Sequence, residues 1–452
     1  MIGKRLFFRL SLSLGLSLTL GPGLARAGAV TLQEGLAAIT SQGYEMRIAM
    51  ARESAATSSR DQAMARLRPQ VNAYADHTWL QNQPEAIFGG GTSPLGDDRF
   101  LRYGVTVRQL ITDFGRTGSG IEAARARTRA QSVETMRTRN NVALDFVTSY
   151  VSLLRAEKAL TLADLEVTRF ESHLSDARAL HTAGEVTLND VLAAEVVLAD
   201  ARLRRITIRD ERNLAATRLN YLMLSPLDRQ TDVADFGYYL DQPPDLERAL
   251  TAARSERPEL KILDETIAAK EAELGSRDAE SYPSMYISGG YAFEENSYRV
   301  HEGNWSATVG ITWELYTGGA RTAEQKKVME ELEALVTQRQ QLKELVDLEV
   351  RDAHRLLAGA VEGTLVTQKA VTQAQESLRL QRSRYTEGEA TATEVTDAVT
   401  LLARAENNYW KAVYERLQAE ARLLYASGED LVAVYTGSAN TEPSDKGAGE
   451  VK

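Results

Sequence analysis

The residues best equipped for chemistry are acids gathered on two short glycine-centred motifs. His181-Thr-Ala-Gly184-Glu185-Val-Thr187 leads to Asp190, and Tyr385-Thr-Glu387-Gly388-Glu389-Ala390-Thr391 leads to Glu394 and Asp397. Parts for an enzyme are missing around them. The five histidines, His77, His173, His181, His301 and His354, show no metal-ligand spacing. His173 and His181 are eight apart and read as solvated side chains on one helix face. There is no nucleophile elbow and no phosphate loop, and Gly318-Gly319 reads as a strand-to-helix turn. The expectation is a protein without catalysis, cofactor or resident metal. Two of the acids have a second reading. Thr391-Ala-Thr-Glu394 forms a capping box, in which the glutamate satisfies the first backbone N–H groups of a helix, and Thr187-Leu-Asn-Asp190 is a similar start.

The two motifs are copies of each other, 204 residues apart. Val191, Ala194, Leu198, Ala201, Arg212, Ala215 and Leu219 recur as Val395, Ala398, Leu402, Ala405, Arg416, Ala419 and Leu423 at the same offset. Upstream the offset is 214, pairing Leu32 with Leu246, Leu36 with Leu250, Ile48 with Ile262 and Pro69 with Pro283. The chain is therefore one unit written twice. Residues 28–240 hold the first copy and 241–436 the second, with ten extra residues in the first. The surplus falls in Asn82 to Asp98, a stretch rich in Gly and Pro that reads as a loop.

Each unit reads as helix, two strands, long helix, turn, long helix. Arg116 to about Leu180 and Arg321 to about Thr386 contain no proline. Such a helix is roughly 95 Å long at about 1.5 Å per residue. Val328, Leu332, Leu335, Leu342, Val346, Ala353 and Leu356 mark one coiled-coil seam, and Val395, Val399, Leu402, Tyr409 and Val413 another. The tips of the two helical hairpins fall near Gly184 and Gly388, which suit tight turns.

The strands, near 70–80, 101–111, 284–294 and 304–314, point to a membrane. Met285, Ile287, Gly289, Tyr291 and Phe293 alternate with smaller or polar residues, as do Trp305, Ala307, Val309, Ile311 and Trp313. One apolar face with aromatic ends and one polar face suit a strand between lipid and an aqueous lumen. Four strands per chain cannot close a barrel, and open edges inside a bilayer leave backbone groups unsatisfied. Closure needs several chains. Two chains would give eight strands and three would give twelve, and strand physics alone leaves that choice open.

The first residues read as a targeting segment at 1–27. Lys4, Arg5 and Arg9 precede an apolar run from Leu10 to Leu20, and Ala25-Arg26-Ala27 is a cleavage pattern. Loss of four basic residues with this segment takes the 53 basic residues to 49 against 63 acids, a net charge of −14. That balance argues against nucleic acid and suits a cation-attracting surface or lumen. The chain has no cysteine, so it relies on no disulfide and carries no lipidation cysteine. Residues 437–452 read as a disordered tail.

Arg68-Pro69 and Tyr282-Pro283 before the strand pairs, the Leu110-Ile-Thr-Asp113-Phe-Gly115-Arg116 turn and the doubled Gly tips resemble the TolC family of outer-membrane efflux proteins over about Thr31 to Leu431. The resemblance implies a membrane α+β protein: a homotrimer with a twelve-stranded transmembrane β-barrel, four strands per chain, continued by a long α-helical coiled-coil tunnel in the periplasm. It implies outer membrane lipid, a periplasmic adaptor and an inner-membrane transporter as partners. The function it implies is passive exit of substrates in efflux or type I secretion. In the family, acids six and nine residues after the second tip glycine ring the entrance, and Glu394 and Asp397 match them. Relatives hold the closed tip with a tyrosine, an arginine and an aspartate. Tyr385 and Asp190 match, while Ala390 stands where the arginine would be. Gly184, Glu185, Gly388 and Glu389 fall where adaptor hairpins would contact the tips.

The competing reading is a periplasmic coiled-coil adaptor or scaffold without a pore. An adaptor would show one hairpin flanked by β-rich, lipoyl-like segments. Two hairpins and two amphipathic strand pairs favour the channel. Cargo, whether drug, metal ion or secreted protein, is not written in these residues.

Overall fold

The computed structural model describes residues 29–237, 240 and 242–437, so the targeting segment and the tail beyond 437 lie outside the described residues. The first half runs α1 (Leu32–Gln42), α2 (Tyr44–Ala65), β1 (Gln70–Trp79), β2 (Glu85–Phe88), β3 (Gly91–Pro94), β4 (Arg99–Thr112), α3 (Arg116–Ala183) and α4 (Leu188–Leu222). The second runs α5 (Leu246–Glu256), α6 (Pro258–Asp278), β5 (Ser284–Glu294), β6 (Gly303–Thr312), α7 (Ala320–Thr386), α8 (Ala392–Ala426) and α9 (Leu431–Gly437). The long helices α3 and α7 have 68 and 67 residues, and α4 and α8 have 35 each. The shorter pairs match as well, 22 and 21 residues for α2 and α6, and 11 each for α1 and α5. The duplication in sequence is thus a duplication of element lengths.

Strands β1, β4, β5 and β6 form one antiparallel sheet in that order. Its register aligns the apolar alternation of all four strands. Ala73, Val105, Tyr291 and Trp305 stand in one row, and Asn72, Thr106, Gly290 and Ser306 in the adjacent one. Successive rows face opposite sides, so one face is apolar and the other small or polar. The apolar face is open in the single chain, with Trp305 83% and Val309 66% exposed. The edges β1 and β6 have no neighbouring strand among the described residues.

The stretch read as a loop holds a small hairpin instead. Strands β2 and β3 pair over four residues each, and Gly89 and Gly90 both take positive φ between them. Two consecutive positive-φ residues make the tight turn that suits the strand twist, and glycine takes it without a Cβ clash. This hairpin rests on the β5–β6 connection, where the Ser297 amide donates to Asp97 at 2.7 Å and Gln83 bonds Tyr298 at 3.0 Å.

The helices form a layer that continues from the sheet. Helix α3 is flanked by α2 and α6 on the sheet side and by α4 and α8 beyond them, and α7 packs first on α6 and then on α8. The seam on α7 buries Val328, Val346, Val350, Ala353 and Leu357. It takes Leu357 rather than the expected Leu356, which is 52% exposed. Midway along, Phe146, Tyr150, Leu219, Leu417 and Leu431 join α1, α3, α4, α8 and α9 in one core. Each such side chain contributes roughly 1.5–3 kcal/mol on burial. The Tyr150 hydroxyl lies 2.7 and 2.6 Å from the carbonyls of Val30 and Ala234, and its one proton, shared between them, ties the segment before α1 and the inter-repeat segment to α3. The repeat-related arginines do the same work, Arg212 donating to the Thr231 carbonyl and Arg416 to that of Leu240. Helix α9 carries buried Tyr435 and extends through Gly437, one residue into the segment read as tail.

Candidate functional site

The two acidic motifs fold as the turns between α3 and α4 and between α7 and α8. Gly184 and Gly388 have φ of 82° and 77°, which closes each turn. The amide of Glu185 donates to the Leu180 carbonyl at 2.9 Å, and that of Glu389 to the Arg384 carbonyl at 2.8 Å. These bonds satisfy carbonyls at the ends of the long helices, which have no intrahelical partner. The carboxylates of Glu185 and Glu389 stand exposed on the turns.

The structure shows the capping half of the double reading for Glu394 and Asp190. Glu394 Oε2 accepts from the Thr391 amide at 2.7 Å, and the Glu394 amide donates to the Thr391 hydroxyl at 3.3 Å. This reciprocal pair opens α8. The backbone bond, more than the hydroxyl, holds the Glu394 carboxyl below the usual carboxylate range. Asp190 likewise accepts from the amide and hydroxyl of Thr187, at 2.9 and 2.7 Å, and opens α4. Asp397, one turn further along α8, is exposed and makes no hydrogen bond or ion pair among the described residues. It has no capping task, and its charge faces solvent.

Tyr385 is 3% exposed, inside a core made of Phe170, Leu174, Val191, Leu378, Val395 and Leu402. Its hydroxyl makes no hydrogen bond, so it does not bond Asp190, whose oxygen is occupied by Thr187. Burial first, then the charges of Asp190 and Asp176, push the Tyr385 phenol up. The ring lies 5.5 Å from that of His173 on α3. His173 is 1% exposed, which corrects its reading as a solvated side chain. Tertiary packing against Tyr385 and α8 covers it, and that partner is not on its own helix.

Ala390 packs against this same core. Other charges link the two hairpins, and the sequence reading missed them. Arg169 on α3 meets Glu406 on α8 through two bonds of 2.7 and 2.8 Å, with both side chains largely covered. Arg382 on α7 reaches Asp176 at 3.6 Å and donates to the Ser172 hydroxyl on α3. A charged residue on a helix seam was the available signal for Arg169 and Glu406. Nothing in the sequence named their partners.

The turns thus present an acidic, largely unpaired rim, backed by a buried aromatic pair and tied together by two cross-hairpin arginines. Such a rim can concentrate cations, and it can offer backbone and carboxylate acceptors to another protein.

Known proteins share this fold. The family described as outer membrane efflux protein matches residues 39–223 and 249–429, one block in each half of the duplication. A protease secretion protein of Dickeya chrysanthemi, PrtF, is 25% identical over 291 residues, and the match covers 62% of this chain and 62% of that relative. Among solved structures, the outer-membrane channel OprN superposes with a TM-score of 0.76 at 19% identity, over 89% of this chain and 90% of its own. The outer membrane protein VceC of Vibrio cholerae gives 0.77 at 17% identity, over 88% and 96%. At such identities the likeness establishes the fold.

Proposed function

The chain belongs to the outer membrane efflux protein family, and on that premise we propose that it is the exit duct of a tripartite efflux or type I secretion system. Substrates enter at the acidic turns, pass along the helical layer and leave through the sheet. The observation that carries this reading is the sheet itself. Its four strands have one continuous apolar face, two unpaired edges, and a direct continuation into helices of 68 and 67 residues. Each backbone group left unpaired in hydrocarbon costs several kcal/mol, so such a sheet must close on further copies.

Three copies of four strands give a twelve-stranded barrel, the closure we adopt. The helical layer supports it. Edge helix α4 carries an exposed stripe of Leu192, Val196, Leu203, Ile206 and Leu214, and edge helix α7 exposes Leu356, Leu365, Val366 and Leu380. The two stripes lie on opposite edges of the layer and would meet between neighbouring copies.

In this assembly Asp397 is the principal entrance acid. Glu394 and Asp190 add charge while capping their helices, and Tyr385 holds the closed tip by packing rather than by a hydrogen bond. Gly184, Glu185, Gly388 and Glu389 form the contact surface for a periplasmic adaptor, which joins the duct to an inner-membrane transporter. The relative PrtF is named for protease secretion, and this chain's cargo is left at the class of exported substrate.

The test is conductance of the purified protein in a planar bilayer under a salt gradient. Discrete, cation-selective openings that lose selectivity in Asp397→Ala are the expected result. Openings indifferent to that substitution would remove Asp397 from the entrance and leave the duct. Absence of openings from protein that stays soluble without detergent would replace the duct by a periplasmic scaffold.

A further inference from the structure

The polar face of the sheet carries four charged residues, Asp76, Arg102, Arg108 and Glu294, and they are unevenly distributed. Asp76, Arg102 and Glu294 stand in a single row across β1, β4 and β5. Asp76 bonds Arg102 at 2.9 Å, and Glu294 also reaches Arg299 at 3.2 Å. Both acids are therefore committed to one end of the face. Arg108 lies six residues further along β4, roughly 20 Å away at about 3.3 Å per residue. That distance is about two and a half Debye lengths at physiological salt. Arg108 has no ion pair among the described residues, and its own row contains Gln70, Ser288 and Thr308.

Its position is nonetheless defined. Tyr286 on β5 lies across Gly310 on β6, where a Cβ would fall 2.5 Å from the ring. The missing side chain lets the ring lie flat, and the Arg108 guanidinium stacks on it, 3.9 Å from the ring centroid. The row thus offers one held guanidinium, beside the hydroxyls of Ser288 directly opposite and Thr308 beyond it, with no carboxylate in reach. A guanidinium with free N–H groups beside hydroxyl donors is an oxyanion receptor.

We propose that Arg108, braced by Tyr286 and flanked by Ser288 and Thr308, is a binding and selectivity station for anionic groups, carboxylates above all, moving along the polar face of the sheet. The proposal rests on the exit-duct reading, in which that face lines the lumen. Three chains would then set three such guanidiniums at one level. The duct would carry opposite preferences at its two ends, acidic turns at the entrance and a cationic ring in the barrel. A weak station of this kind admits an anion and lets it leave again.

The experiment is the reversal potential of the full-length protein in planar bilayers, in gradients of potassium chloride and of potassium acetate. Arg108→Gln is expected to lower the anion-to-cation permeability ratio by at least about threefold, and Arg108→Glu by more. Arg108→Lys keeps the charge, and so the chloride ratio, but loses the forked donors and with them the preference for acetate over chloride. Ser288→Asp sets a carboxylate opposite Arg108 and serves if the arginine variants do not insert. It is expected to lower the ratio in the same direction. Wild-type ratios in both Arg108→Gln and Ser288→Asp, from channels that conduct, would overturn the station and leave the duct standing. A wild-type protein that does not conduct would overturn the duct, and the station with it.

Discussion

Burial pushes the His173 imidazole below its ordinary value. Nearby Arg382 acts in the same direction as burial, while Asp176 and the Ala392 backbone favour the charged ring. The Tyr385 phenol on α7, itself under the charge of Asp190 on α4, lies beside the ring. The fold favours the neutral ring, so this contribution to stability is fully present above the unfolded value of about 6.5 and is lost as pH falls through the lower folded value. Acidification from pH 7 to 5 should therefore loosen the turn end of α3, α7 and α8. Hydrogen exchange, corrected for its intrinsic pH dependence, should show protection there falling in the wild type and holding in His173→Phe. Equal acid sensitivity in both proteins would place the effect elsewhere. None of this was legible from residue spacing. An interval of eight residues says that His173 and His181 share a helix face, but not that Tyr385, more than two hundred residues away, covers one of them. The cap made by Glu394 was legible, because a capping box is a local motif, and the coordinates show the carboxylate engaged.

At the level of elements, the turns test a backbone argument. Gly388 sits at positive φ with its nearest other atom 4.0 Å from where a Cβ would be, and Gly184 has open space. Alanine at either place meets no steric obstacle and carries the left-handed penalty alone, about 1–2 kcal/mol. Gly388→Ala should fray the last turn of α7 and the first of α8, seen as faster exchange at residues 383–395, with the core around Phe146 unchanged. The element plan itself could be read early, because an offset maintained over many residues requires two units of one design, and a period of two requires a half-buried strand. What escaped was short or tertiary. Strands β2 and β3 hold four residues each, too few for alternation to stand out from a run of Gly and Pro. The choice of Leu357 over Leu356 depends on how α7 is rotated against α5 and α8, and adjacent leucines cannot report that.

For the whole molecule the question is which face of the sheet meets lipid. Val309 and Thr308 are neighbours on β6 whose rows face opposite ways. An arginine on a lipid-facing strand position costs about 2–4 kcal/mol near the bilayer centre, whereas lumen positions tolerate it. Val309→Arg should lower the yield of assembled, heat-resistant protein in the outer membrane, and Thr308→Arg should assemble normally and alter conductance. The reverse order of yields would invert the assignment of faces. Partner chains were never legible as contacts, since an exposed heptad stripe announces that it needs a neighbour without saying which. The matched helix lengths of the two halves have one more consequence. With three chains closed in a ring, a shift of 204 residues along the chain becomes a rotation of about one-sixth of a turn in space. The turn end then has pseudo-sixfold symmetry, while the β2–β3 hairpin, present in one half only, leaves the opposite end strictly threefold. A partner ring approaching the turns would meet six nearly equivalent grooves of two alternating kinds, distinguished by Asp397 against Ala193. Six bound partners would then fall into two affinity classes of three.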